Sequence, residues 1–209
     1  EAGTFAVLGA LCAEQLEITH CDPQHLNSLW QIFDRIGVDY SYTEDTITVK
    51  KAGGYKATNI MTHEYPGFAT DLQSPVTVLL TQCNGMSLVH DPIFDGRLYY
   101  TDMLGQMGAS VVLCDPHRAL ITGPASLHGR RIVSPDLRAG MALVLAGIIA
   151  DGTTRIENIY HIDRGYENLE GRLQEIGVNI ASICSGSGSV MMIESVTIQL
   201  FVSVANTKY

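Results

Sequence analysis

The sequence predicts a mixed α/β fold built from three copies of a βαβαββ unit. Three observations predict it. A glycine that can end a helix recurs at Gly37, Gly108 and Gly177, spaced 71 and 69 residues apart. Each follows apolar residues eight, four and one positions earlier: Leu29, Phe33 and Ile36, then Tyr100, Leu104 and Met107, then Leu169, Leu173 and Ile176. That spacing puts one apolar stripe on each helix, and glycine just beyond it takes the left-handed conformation without strain. Upstream, Asp71 and Asp136 open two further apolar stretches, while short alternating runs in pairs follow each glycine. A repeat of this length is a threefold internal duplication.

In the first unit the spacing predicts a helix over 4–13, a strand over 16–19 and a helix over 24–36, with Asp22 as N-cap and Pro23 in the first turn. Strands 39–42 and 46–50 follow around the acidic turn Glu44-Asp45, and Gly53-Gly54 breaks the pattern before the segment 58–68. The second unit reads as a helix over 72–83, a strand over 86–90, a helix over 98–107, and strands 110–114 and 118–122 joined at Asp115-Pro116. The third has a helix over 137–150, a strand over 154–159 and a helix over 166–176. Glu1 stands 36 residues before Gly37, so the first unit is expected to open at Glu1. Strands alternating with helices and closing in hairpins suit modules packed around buried helices, not a doubly wound nucleotide-binding sheet.

Residues 185–189 read SGSGS, the composition of a flexible and engineered linker. The segment lacks the lysine and the following helix of a phosphate loop. Beyond it 196–204 alternates well enough for a strand. The expected organisation is therefore a repeat domain over 1–184, a linker over 185–189 and a strand-forming tail over 190–209.

Thirteen basic against 22 acidic residues give a formal charge of −9, without a basic cluster that would track a phosphate backbone, which argues against nucleic acid. The longest apolar run, 141–150, is half of what a bilayer needs, so no membrane span is expected, and no signal peptide precedes the first repeat. The five cysteines are odd in number, widely spaced and free of C-x-x-C pairs, as in a reducing, cytoplasmic compartment.

An aspartate at a helix start has a structural explanation, since Asp caps N-termini and stabilises the positive end of the dipole. Pseudo-threefold symmetry adds a second one: equivalent helix starts meet at one end of the domain and form an anion site. Arg97 in FDGR, Arg164 in IDRG, and Arg138 two residues after Asp136 stand at repeat-equivalent or adjacent places. Their guanidinium forks suit carboxylate and phosphate oxygens. The seven histidines show no metal-ligand spacing, so no metal and no cofactor are expected.

Four segments then carry a resemblance: YPGFATDLQSP (65–75), IFDGR (93–97), SPDLRAGMALVLAG (134–147) and IYHIDRGYENLE (159–170). They are similar, in order, to motifs of the UDP-N-acetylglucosamine 1-carboxyvinyltransferases, enolpyruvyl transferases of peptidoglycan precursor synthesis. The likeness runs from Glu1 to about Ile183, and the aspartate that the family carries just upstream of EAGTFAV would fall before Glu1. The resemblance implies one of two domains of the inside-out α/β barrel type, closing on a cleft where the enolpyruvyl group of phosphoenolpyruvate passes to the 3-hydroxyl of UDP-N-acetylglucosamine.

It further implies that Asp71 is the general base at that hydroxyl and that Ile93 and Phe94 border the UDP-sugar. Arg97, Asp136, Arg138 and Arg164 would line the phosphoenolpyruvate side. The family's lysine, its reactive-loop cysteine and further arginines belong to the other domain, and none of the five cysteines here sits in a matching loop. This chain alone is therefore expected to be inactive, because proximity and charge stabilisation need both walls of the cleft. In the family this domain borrows strands from the protein's own N-terminus, so the tail after SGSGS is expected to replace them in a rearranged, self-contained domain. The alternative reading is a non-catalytic scaffold, or an isolated binding domain, of the same fold.

Overall fold

In the computed structural model of the chain, residues 1–185, 188–194 and 201–205 are described. The second repeat shows the unit most plainly: β4 (Ile60–Met61), α3 (Thr70–Leu80), β5 (Gly85–His90), α4 (Thr101–Gln106), β6 (Ser110–Asp115) and β7 (Arg118–Gly123). The third runs β8 (Arg131–Val133), α5 (Leu137–Ile149), β9 (Thr153–Glu157), α6 (Tyr160–Asp163), α7 (Leu169–Glu175), β10 (Ile180–Ser185) and β11 (Gly188–Glu194). The first begins with a helix: α1 (Ala2–Cys12), β1 (Gln15–Thr19), α2 (Asn27–Ile36), β2 (Asp39–Tyr42) and β3 (Thr46–Lys50). Its opening strand comes from the far end of the chain, as β12 (Phe201–Ala205).

Each repeat thus forms one four-stranded sheet, with equivalent orders β12-β1-β3-β2, β4-β5-β7-β6 and β8-β9-β11-β10. The first pair in each sheet is parallel, as in Gln15 with Phe201, Ile60 with Val89 and Ile132 with Ile156, and the remaining pairs are antiparallel. A parallel pair needs a crossover, which α3 and α5 supply in units two and three, and α1 takes the equivalent place in unit one, whose β12 arrives from the far end of the chain. α1 and α5 are apolar nearly all round and buried accordingly over 3–11 and 139–148, and α3 is enclosed over 73–80 with its polar Gln73, Ser74 and Thr77 hydrogen-bonded inside. They pack on one another in all three pairings.

The three glycines behave as their spacing predicts, with φ of +87°, +108° and +84° at Gly37, Gly108 and Gly177. In each repeat the amide beyond the glycine reaches back to the helix, Val38 to Phe33 C=O (3.0 Å), Ala109 to Leu104 C=O (2.9 Å) and Val178 to Leu173 C=O (2.9 Å). This is the long bond of a Schellman motif, made three times.

Several boundaries differ from the sequence-based expectation. The helix expected over 24–36 is a 3-10 turn at Pro23–Leu26 followed by α2, because the Trp30 indole N–H donates to the Pro23 carbonyl (2.8 Å) and takes the acceptor a continuous α-helix would need. The helix expected over 166–176 starts only at Leu169, since the Tyr166 amide closes onto Ile162 C=O and ends the α6 turn instead. Strands β4 and β8 were not predicted; two and three residues are too short to display alternation.

The 185–189 stretch, read as a linker, runs into a hairpin. Ser185 pairs with Gly188 at the ends of β10 and β11, while residues 186 and 187 lie outside the described residues. Ser185, Gly188 and Ser189 pair within strands, and composition alone does not separate the ends of strands from a linker. The strand expected over 196–204 is found at 201–205, and 195–200 lie outside the described residues.

Candidate functional site

The site is built where the starts of the three central helices meet. A Cβ on Gly3 of α1 would sit 2.7 Å from Leu72 Cδ2 of α3, so those two starts touch. Ser74 Oγ of α3 donates to the Arg138 carbonyl of α5 at 2.9 Å, joining the second pair. The close approach needs glycine at position 3 and a small hydroxyl at 74.

The two aspartates do different things at these starts. Asp136 is the N-cap of α5, and its carboxylate accepts from the Arg138 and Ala139 amides at 2.8 and 3.0 Å. Asp71, expected as a cap by the same argument, is not one: the N-cap of α3 is Ala69, and Asp71 lies inside the first turn. Its side chain is free to face outward, 63% exposed, where it pairs with the Arg138 guanidinium. Pro75 has no N–H to give the Asp71 carbonyl four residues earlier, so the backbone at this helix start also keeps an acceptor.

The segment after β5 holds Ile93, Phe94 and Arg97. Asp91 is fully buried beneath it and accepts at Oδ1 from the Ile93 and Phe94 amides (3.1 and 3.4 Å) and at Oδ2 from Thr70 Oγ1 (2.6 Å). His117 braces the same loop from the β6–β7 turn, with Nδ1 2.7 Å from the Asp91 carbonyl oxygen and Nε2 2.7 Å from Asp95 Oδ1. Phe94 is 46% exposed, and the Arg97 guanidinium carbon lies 4.4 Å from its ring centroid. That contact orients the cation while leaving the aromatic face at the surface.

Arg164 is exposed at the C-terminal end of α6. Its neighbour Gly165 packs against Leu137 at the start of α5, where an added Cβ would meet Leu137 Cδ2 at 2.6 Å. Tyr166, two residues on, shares a 3.0 Å hydrogen bond between its OH and Thr4 Oγ1 of α1. Burial pushes its phenol up, with the Glu1 and Asp71 carboxylates adding to the shift while the Thr4 bond and Arg138 oppose it. Glu1 secures the same turn, accepting from the Glu167 amide (3.3 Å) and from Arg172 Nη1 (2.9 Å), and the Arg172 guanidinium lies over Phe5.

Asp71 and Arg138 are thus in contact, and Asp136 stands directly beneath Arg138. The loop of Ile93, Phe94 and Arg97 is tied to Thr70, and the turn of Arg164 is tied to the starts of α1 and α5. Sequence reasoning did not single out Thr4, Thr70, Asp91, Tyr166 or Glu1 as members of this rim. Thr70, Asp91 and Tyr166 sit inside or beside the four quoted motifs and Glu1 and Thr4 lie in EAGTFAV, but a hydroxyl or a buried carboxylate has no periodicity that distinguishes it from a core residue.

A cleft of about 1110 Å³ opens beside Asp71 on the α1 side, lined by Glu1, Asp22, His25, Glu44, Asp45 and Asp71 among others. None of Arg97, Asp136, Arg138 or Arg164 lines it, so this acidic cleft is not the anion-facing side of the rim. Among the described residues no group of three His, Cys, Asp or Glu side chains could hold a metal ion, and no helix is long and apolar enough to cross a membrane.

Comparison with known proteins gives a consistent result. Residues 1–173 match the family described as EPSP synthase (3-phosphoshikimate 1-carboxyvinyltransferase). The chain is 43% identical over 188 residues to a UDP-N-acetylglucosamine 1-carboxyvinyltransferase of Treponema denticola, and 40% identical over 184 residues to one of Solibacter usitatus. These matches cover 86% and 88% of this chain but 44% of each relative, so the chain spans less than half the length of the curated relatives it matches. Among solved structures, the enolpyruvyl transferase NikO from Streptomyces tendae superposes with a TM-score of 0.80 at 22% identity, over 92% of this chain and 43% of that one. An EPSP synthase from Acinetobacter baumannii gives 0.70 at 15% identity, over 98% of this chain and 46% of its own, and at these identities both show the fold alone.

Proposed function

Because this chain belongs to the EPSP synthase family of enolpyruvyl transferases, we propose that it supplies one wall of an active site that moves the enolpyruvyl group of phosphoenolpyruvate to the 3-hydroxyl of UDP-N-acetylglucosamine. The acceptor follows the relatives at about 40% identity, which carry that activity in their names. The reaction would belong to peptidoglycan precursor synthesis in the cytoplasm. The fold would be one inside-out α/β barrel of the two that such an enzyme closes around its substrates.

The observation that carries this reading is the exposed Asp71 carboxylate held beside Arg138 where α3 and α5 start. Joining a sugar hydroxyl to the enolpyruvyl carbon requires that the hydroxyl lose its proton while the donor releases inorganic phosphate, and Asp71 is a carboxylate in reach of solvent at the rim that no backbone amide engages as a cap. Ile93 and Phe94 would border the UDP-sugar. Arg97, Arg138 and Arg164 would meet the donor's carboxylate and phosphate, with Asp136 fixing the Arg138 backbone.

The second wall would come from a complementary domain, without which water reaches the rim and the donor is held from one side only. Joined to that domain, the wild-type chain should turn over UDP-N-acetylglucosamine, and Asp71→Asn should lower kcat by about 10² to 10⁴ while circular dichroism stays unchanged. Normal turnover by Asp71→Asn would remove the general-base role, and preference for a phosphorylated shikimate acceptor would overturn the choice of substrate. On the isolated chain, calorimetry with UDP-N-acetylglucosamine should detect binding at about millimolar strength. Complete absence of heat would favour the non-catalytic scaffold.

A further inference from the structure

We propose that Thr70 and Asp91 form a positioning pair that couples the helix start carrying Asp71 to the loop carrying Ile93, Phe94 and Arg97. The inference rests on the functional reading above for its consequence, but not for its geometry.

Asp91 is fully buried, and no ion pair reaches it among the described residues. Enclosing a carboxylate without a counter-ion is costly unless donors surround it. Here the donors come from two separate places. Oδ2 takes the Thr70 hydroxyl at 2.6 Å, and Oδ1 takes the backbone amides of Ile93 and Phe94 at 3.1 and 3.4 Å. A carboxylate is planar and accepts only, so one rigid group fixes the start of α3 relative to the loop, and the direction of every bond is determined.

The main chain of Asp91 is held as firmly. Its N–H donates to the His117 carbonyl at 2.8 Å, and its own carbonyl oxygen lies 2.7 Å from His117 Nδ1. The carboxylate therefore has a fixed base from which to act. Thr70 is the residue immediately before Asp71, so a hydroxyl that stays on Asp91 sets the direction in which the first turn of α3 presents Asp71. Without the tie, the two groups proposed to meet the same acceptor, the base and the Ile93–Phe94 edge, would move independently. Thr70 and Asp91 touch no substrate in this scheme; they act through their neighbours.

The test uses the chain itself. Thr70→Val removes the hydroxyl at constant shape, Thr70→Ser restores it, and Asp91→Ala removes the acceptor. In Thr70→Val, amide hydrogen exchange at Ile93 and Phe94 should rise about tenfold although residue 70 bonds to neither, and Thr70→Ser should return it to the wild-type rate. Titration with UDP-N-acetylglucosamine should weaken about fivefold in Thr70→Val and recover in Thr70→Ser. The double variant should be no worse than Asp91→Ala alone, because both changes cut one link.

Unchanged exchange at 93–94 in Thr70→Val would overturn the proposal. So would a lowered melting temperature with an unmoved titration midpoint, the signature of a purely structural bond. If Asp91→Ala does not fold, the two Thr70 variants decide alone. If the wild-type chain gives no response to the nucleotide sugar while the exchange coupling holds, the functional reading fails and the tie between helix and loop stands.

Discussion

Two aspartates that look alike in sequence are held by different forces, and the difference is measurable. Asp136 satisfies two amides at the start of α5, so Asp136→Ala should lower the unfolding free energy by about 1 kcal/mol in urea titrations. Asp71 caps nothing and is mostly exposed, so Asp71→Asn should change stability by less than about 0.5 kcal/mol, leaving its effect to appear in turnover. The thiols separate in the same way. Burial pushes both Cys12 and Cys83 up to about 12, whereas Cys114 is exposed on β6. Alkylation with iodoacetamide at about pH 8, followed by peptide mapping, should mark Cys114 and spare Cys12 and Cys83 until the protein is unfolded. Cys83 is fully buried, and at half-buried Cys12 the charge of Lys51 opposes the effect of burial without overcoming it, so neither has the setting of a reactive cysteine.

The Schellman ends of the helices make the clearest contrast among elements. Gly37 has open space around the position of a Cβ, so Gly37→Ala should cost only the conformational penalty of the left-handed region, about 1–2 kcal/mol. At Gly108 the same atom would stand 2.7 Å from the Ser126 carbonyl oxygen, so Gly108→Ala should cost more, and chemical denaturation of the two variants should rank them in that order. On the parallel pair β8–β9, Arg131 and then Arg155 hold the Glu157 carboxyl below its ordinary value. A depressed folded value contributes stability above the unfolded carboxyl pKa and loses it as pH falls through the folded one. The stability difference between wild type and Glu157→Gln should accordingly shrink on acidification below about pH 4.5, the ordinary value for Glu. The helix ends were legible in the sequence because a glycine after an apolar stripe has one physical use. Asp71 was misread as a cap because Asp at a helix start serves caps and first turns equally well, and only coordinates distinguish them.

For the whole molecule, threefold repetition was legible from glycine spacing and from the paired strands after each glycine. What closes the first repeat was not legible from spacing: the expectation that the tail joins this domain came from the family resemblance, and the register of Gln15 with Phe201 joins residues nearly a chain length apart, where a parallel edge pairing leaves no local pattern. Ending the chain at Glu194 should remove β12, bare the edge of β1 and lower the melting temperature by about 10 °C, the shift that roughly 3 kcal/mol produces at this size. An unchanged melting curve would mean that the sheet does not depend on that strand. Repeats two and three are each assembled from one uninterrupted stretch, 60–123 and 131–194, whereas repeat one needs 2–50 together with 201–205. The second unit, whole by residue 123, can therefore form while the chain is still being made, but the unit synthesised before it must wait until residues 201–205 have left the ribosome.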